Sequence, residues 1–243
     1  MISKNEVKYI QSLSHKKNRD AEGVFIAETP KLVNELLQSS VSIKKIYATK
    51  DWQPQNNATI IVEEVDEATL RRISQLETPN KVLAIAEKKG LPPLQLKNHF
   101  TLLLDGIQDP GNMGTIVRIA DWFGITQIVA AKDTADCYNP KAVQSSMGSI
   151  ARVNIWYGEL APVLAGAKVP VYGALLHGKS VYEIELLHKE GILIIGNESK
   201  GIREPLLPFV QYPVTIPRIG AAESLNAAIA TGILLSHFMQ PSM

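Results

Sequence analysis

The chain has 243 residues and a formal net charge of +1, from 25 Lys+Arg against 24 Asp+Glu. At 45% hydrophobic and 20% charged it has a globular composition, which excludes a disordered or fibrous chain. No apolar run approaches the roughly 20 residues that cross a bilayer, and the single cysteine, Cys137, excludes a disulfide framework and a cysteine-based zinc site. The N-terminus is charged and amphipathic with no secretory segment, so a reducing cytoplasm is the expected compartment. Charge is unevenly placed. Residues 1–97 hold 15 basic against 12 acidic side chains, whereas 98–243 hold 10 against 12. The surplus is greatest at the start, where Lys4, Lys8, Lys16, Lys17 and Arg19 face only Glu6, a pattern that suits a polyanion partner or a solvated helix equally.

In chain order, Val7, Ile10 and Leu13 recur at helical spacing and predict a helix over 4–13. The polar stretch SHKKNRD reads as a loop before a short strand, 23–28. Thr29 is placed to cap the next helix, with Pro30 at its first position and Leu32, Val33, Leu36 and Leu37 facing inward. Strands at 43–48 and 59–62, a helix at 66–74 and a strand at 81–86 complete a small α/β domain, residues 1–90. Pro92 and Pro93 follow the KKG turn and mark a linker over 91–97.

Beyond it, from residue 98 to 243, six apolar runs predict strands at 101–105, 126–131, 151–156, 169–176, 191–197 and 213–217. Helical stretches lie between most of them, at 112–123, 139–148, 159–166 and 204–209, with a long last one at 223–239. This alternation predicts a parallel sheet covered by helices on both faces. In such a sheet ligands bind beyond the carboxyl ends of the strands. Three loops rich in Gly, Asn, Glu and Ser follow strands there: GIQDPGNMG, GNESKG and RIGAAESLN. Together they point to one site assembled from three places.

A competing motif lies at 173–180, GALLHGKS, which matches the phosphate-loop pattern G-x-x-x-x-G-K-[ST] after a strand. Leu175, Leu176 and His177 are bulky where a phosphate cradle needs close backbone approach, and the acid-terminated strand precedes the match. A nucleotide hydrolase is therefore the lesser reading. An RNA-binding module without activity is a third.

The segments GNMGTIVRIADWFG (111–124), IIGNESKGI (194–202) and IPRIGAAESLNAAIA (216–230) resemble, in order, the three signature motifs of the SpoU (TrmH-type) RNA ribose 2′-O-methyltransferases of the SPOUT superfamily. The likeness covers 98–243. More weakly, the first 90 residues resemble the small substrate-binding domain often fused ahead of it, which is like RNA-binding ribosomal proteins. The resemblance implies a homodimer with a deep trefoil knot, S-adenosylmethionine as methyl donor and no metal. It also implies a structured RNA substrate, large-subunit rRNA in preference to tRNA because of the extra domain.

For individual residues, the resemblance implies that Arg118 is catalytic and reaches the partner subunit's cofactor. Guanidinium is a permanent cation, so positioning of ribose and phosphate suits it better than proton abstraction. Asn112, Glu198, Ser224 and Asn226 are implied to border the reacting ribose. Read locally, Asn112 and Ser224 are instead helix caps and Glu198 an exposed loop acid. Leu176, Gly196, Gly201, Ile216, Leu225, Asn226 and Ala227 are implied to form the cofactor site. Lys16, Lys17 and Arg19 are candidates for RNA phosphates, and Arg218, where the family usually carries an apolar residue, is a fourth.

Overall fold

The computed structural model describes residues 2–55, 60–184 and 190–239. It divides into two compact units, one formed by Met1–Gly90 with Asp136–Arg152 and the other by Leu91–Ala135 with Val153–Met243. The first unit thus draws in a short segment, including the helix Pro140–Ser146, from the second half of the sequence.

In the first unit, α1 (Lys4–Ser12), α2 (Lys16–Glu22), β1 (Val24–Glu28), α3 (Pro30–Leu37), β2 (Ile43–Ala48), β3 (Val62–Glu64), α4 (Glu67–Ile73) and β4 (Val82–Glu87) follow in order. The sheet order is β1-β4-β2-β3, with β4 antiparallel to both neighbours and β2 parallel to β3. Alternation along the strands sends side chains to two cores. Val24, Ile26, Tyr47, Leu83 and Ile85 pack with Val7, Ile10 and Leu13 of α1 and Leu70 and Ile73 of α4. Ile46, Ala48, Val82 and Ala84 pack with Val33 of α3 and with Trp52.

Several local expectations are corrected here. SHKKNRD is not a loop: Lys16–Glu22 is helical and ends on Gly23, at φ +64. Arg19 within it is 1% exposed. Its Nη1 donates to the carbonyls of Leu13 and Ser14, which close α1, at 2.8 and 2.7 Å, and its Nη2 pairs with Asp136 at 2.6 Å. A guanidinium buried to this extent and turned toward these partners is out of reach of an RNA phosphate, so Arg19 leaves that set. Second, Thr29 occupies the cap position of α3 but at φ +82, ψ +143, and makes no side-chain cap bond. Its N–H is spent on Val82 O. The strand expected at 59–62 runs instead from Val62 to Glu64, and residue 59 lies outside the described residues.

The second unit holds β5 (Phe100–Asp105), α5 (Pro110–Trp122), β6 (Gln127–Ala131), β7 (Asn154–Gly158), α7 (Leu160–Ala165), β8 (Val171–Ser180), β9 (Gly191–Gly196), β10 (Tyr212–Thr215) and α8 (Ala227–Phe238). The helix α6 (Pro140–Ser146) is the one assigned to the first unit. All six strands are parallel, in the order β10-β8-β9-β5-β6-β7. Leu103, Val129, Val171, Ile192 and Ile194 pack on one face against Leu160 and Leu164 of α7. The six apolar runs form that sheet, and β5, β6 and β9 are buried along their length, whereas β7, β10 and the second half of β8 are partly exposed.

GALLHGKS is not a phosphate loop, because it lies inside β8, where Lys179 and Ser180 pair with Val214 and Thr215 of β10. A Cβ on Gly178 would stand 2.5 Å from the Pro213 carbonyl oxygen, so this glycine serves a close backbone crossing. Directly after Ser180 comes a 3₁₀ turn at 181–183, not the first turn of an α-helix that could receive an anion. The nucleotide-hydrolase reading is withdrawn.

Candidate active site

The site collects at the carboxyl ends of β5, β9 and β10. After β5, the sequence DPGN starts α5. Asp109 is the N-cap, accepting the Asn112 N–H at 2.9 Å, and Pro110 occupies the first turn. Asn112 is therefore not the cap, and its side-chain amide remains available. Its Nδ2 donates to Glu198 Oε1 at 2.6 Å, and its Oδ1 accepts from Asn226 Nδ2 at 2.9 Å. Three residues from three separate motifs form one hydrogen-bonded line. Both ends of the Asn112 amide are occupied, so its orientation is set by the network.

Asn226 has a second task. Its Oδ1 accepts the N–H groups of Ala228 and Ile229 at 3.0 and 3.2 Å, which makes it the N-cap of α8. The last helix begins at Ala227 rather than at 223, and Ser224 is not its cap. Asn226 uses its carbonyl oxygen for the helix and its amide nitrogen for Asn112.

Glu198 sits in a narrow loop after β9. Asn197 and Gly201 exchange backbone hydrogen bonds at 3.0 and 2.9 Å across it. A Cβ on Gly196 would collide with the backbone of Gly201, which itself sits at φ +68. A side chain at Gly196 would force the loop to move, and one at Gly201 would meet open space but a strained backbone angle. Behind it, Asp105 at the end of β5 is completely buried and paired with Arg203. That hydrogen bond holds the Arg203 guanidinium above its already high ordinary pKa.

Arg118 stands apart from this line. It lies six residues along α5 from Asn112, about 120° around the helix, and it is exposed with no hydrogen-bond or ion-pair partner among the described residues. Ser224 is likewise exposed. Arg218 donates Nη1 to the Ala222 carbonyl at 3.2 Å, inside its own loop. Among the expected cofactor residues, Leu176 is 70% and Leu225 44% exposed, Ile216 is half-buried, and Ala227 is buried. Thr215 Oγ1 donates to Leu176 O at 3.2 Å, which brings Ile216 and Leu176 to one edge. Apolar side chains exposed beside loop backbone fit a ligand with an apolar ring and polar edges. In the first unit, Lys16 is exposed and paired with Asp20 at 2.8 Å, and Lys17 is exposed.

Asn197 stood in the GNESKG loop with no role assigned to it, and Asp105, Asp133 and Arg203 escaped the sequence reading altogether. Their one signal was an acid closing the apolar run TLLLD, which says nothing of its partner 98 residues on.

Comparison with known proteins places the chain in a family. The model of the SpoU rRNA Methylase family matches residues 99–236, and that of the MRM3-like substrate binding domain matches 4–84. The chain belongs to the SpoU rRNA methylase family. It is 32% identical to the 23S rRNA (guanosine(2553)-2′-O)-methyltransferase RlmP of Bacillus subtilis, over 97% of this chain and 96% of that one. A TrmH-family putative RNA methyltransferase from Porphyromonas gingivalis superposes with a TM-score of 0.88 at 38% identity, covering 98% of both chains. An AdoMet-bound rRNA methyltransferase from Sinorhizobium meliloti does so with a TM-score of 0.85 at 30% identity, covering 98% and 95%.

Proposed function

We propose that this protein transfers a methyl group from S-adenosylmethionine to a ribose 2′-hydroxyl of large-subunit rRNA, as a cytoplasmic homodimer. The observation that carries the reading is the Glu198–Asn112–Asn226 line, which joins all three motifs in one hydrogen-bonded array. Full-length similarity to a 23S rRNA enzyme, including the substrate-binding domain, favours rRNA over tRNA. Among the described residues no helix is long and apolar enough to cross a membrane.

Leu176, Gly196, Gly201, Ile216, Leu225 and the start of α8 at Asn226 and Ala227 are the residues that would hold the cofactor. When bound, S-adenosylmethionine supplies an electrophilic sulfonium methyl. The chain's own task is to hold a weakly nucleophilic hydroxyl in line with it. The Asn112 amide, locked between a carboxylate and a second amide, offers a rigid edge for orienting the ribose without reorganisation. Arg118, permanently charged, clamps the neighbouring phosphate rather than accepting a proton. In a homodimer its exposed side chain serves the partner subunit's site. Lys16, Lys17 and Arg218 are the phosphate contacts we assign outside it. A knotted chain path belongs to the same reading and rests on the family match alone.

The test is transfer of radiolabelled methyl from S-adenosylmethionine to total RNA of a strain lacking the gene, alongside Arg118→Ala. Alkali-resistant label at one site in large-subunit rRNA, lost in the variant, is expected. Label in tRNA would change the substrate, and no label in any RNA would overturn the reading.

A further inference from the structure

The carboxyl end of β5 grips both ends of the loop that carries Glu198. At the near end, Asn197 donates Nδ2 to the Gly106 carbonyl at 2.8 Å, while its Oδ1 accepts the N–H groups of Ser199 and Lys200 at 2.9 and 3.2 Å. At the far end, Asp105 Oδ2 accepts the Arg203 N–H at 2.7 Å, and Oδ1 accepts from the guanidinium through Nε and Nη2. The outer nitrogens of Arg203 then reach Asp133 at 3.3 and 3.4 Å. Gly106, the turn between these anchors, is itself held by Thr134 Oγ1 at 3.2 Å and sits at φ +75. Glu198 follows Asn197 directly, inside the clamped segment.

The energetics of this grip are lopsided. The outer Arg203–Asp133 contacts are long and solvent-exposed, and such pairs contribute little. Asp105 is different, because an ionised carboxylate with no exposure is strongly unfavourable unless paired and hydrogen-bonded. Every alternative position of the loop's far end strips Asp105 of the backbone N–H and the guanidinium together. The loop therefore has one favourable seat, and that seat puts Glu198 2.6 Å from Asn112.

We propose that Asp105 and Arg203 are a positioning pair that holds Glu198 against Asn112 for the transfer reaction, without touching substrate or cofactor. The proposal rests on the methyl-transfer reading above. Its test is a cycle of Arg203→Gln, Arg203→Lys, Glu198→Gln and the double variant Arg203→Gln/Glu198→Gln, assayed for methyl transfer at saturating S-adenosylmethionine. Arg203→Gln is expected to lower kcat about tenfold or more at little-changed KM for RNA, the scale of a small misplacement. Arg203→Lys should recover part of that loss. The double variant should be no slower than Glu198→Gln alone, since a pair acting through Glu198 has nothing further to remove. Losses that multiply, or an unimpaired folded Arg203→Gln, overturn the proposal. If Arg203→Gln does not fold, Arg203→Lys takes its place in the cycle. Hydrogen exchange is an arm independent of activity: the amides of Ser199, Lys200, Gly201 and Arg203 should exchange faster in either Arg203 variant while β5 and β9 stay protected. Unchanged protection there overturns the pair even if the wild-type protein transfers no methyl, an outcome that by itself counts only against the proposed function.

Discussion

At the scale of single residues, two side chains each bear on more than one property. Asn226 caps α8 with its oxygen and orients Asn112 with its nitrogen. Asn226→Asp keeps the oxygen and removes the donor, so its melting temperature should stay near wild type while methyl transfer falls by roughly 10²-fold, as when one preorganised donor is lost. Asn226→Ala should lose the activity and also about 1 kcal/mol of stability in urea titration. Glu28, 4% exposed at the end of β1, is the second case. Burial pushes its carboxyl pKa up despite hydrogen bonds from Ser74 and the Gln75 N–H. The folded state then holds a proton that the unfolded state has released, so stability falls as pH rises from the unfolded pKa through the folded one. Glu28→Gln keeps one acceptor oxygen for the Gln75 N–H, presents an amide donor to Ser74 Oγ in place of the other, and removes the charge. It should be more stable than wild type at pH 7, with the gain shrinking toward pH 4 in denaturant titrations; a gain constant with pH would count against this assignment.

At the scale of elements, the β1–α3 junction stores strain. Thr29 at φ +82, ψ +143 occupies a region that favours glycine, at a cost on the order of 1–3 kcal/mol, offset by its N–H bond to Val82 O. Thr29→Gly relieves that strain and loses some of the gain to unfolded-chain entropy. The net expectation is a stabilisation of about 1 kcal/mol, read from the urea midpoint at unchanged slope. Element type was broadly legible in sequence. Periodicity located all six strands of the parallel sheet and the helices between most of them. Where it failed, polar composition misled: α2 reads as a loop because its largest buried side chain is an arginine. The phosphate-loop match failed for the opposite reason, since two glycines, a lysine and a serine suffice for the pattern but say nothing of a strand running through it.

At the scale of the molecule, the reading that Arg118 acts across a homodimer has its own test. Subunits of Arg118→Ala and Asn112→Ala, each inactive alone, should regain activity when refolded together. Random pairing makes half the dimers mixed, each with one intact site, so about a quarter of wild-type turnover is expected for a two-fold assembly. Absence of any recovery, with mixed dimers demonstrated, would place Arg118 in its own subunit's site. The sequence by itself determined the kinds of elements, their order and the three motif loops, because backbone propensity and apolar periodicity are local properties. It also carried the family resemblance, which named Asn112, Glu198 and Asn226 before any distance was known. Only the tertiary structure decided what those side chains do. Asp109 takes the cap and frees the Asn112 amide; Arg19 turns inward to Asp136; Asp105 finds Arg203. The cap spans only three residues, but the other two outcomes depend on which polar group finds its partner once water is excluded, and those partners lie 117 residues apart for Arg19 and 98 for Arg203, beyond the reach of any local pattern.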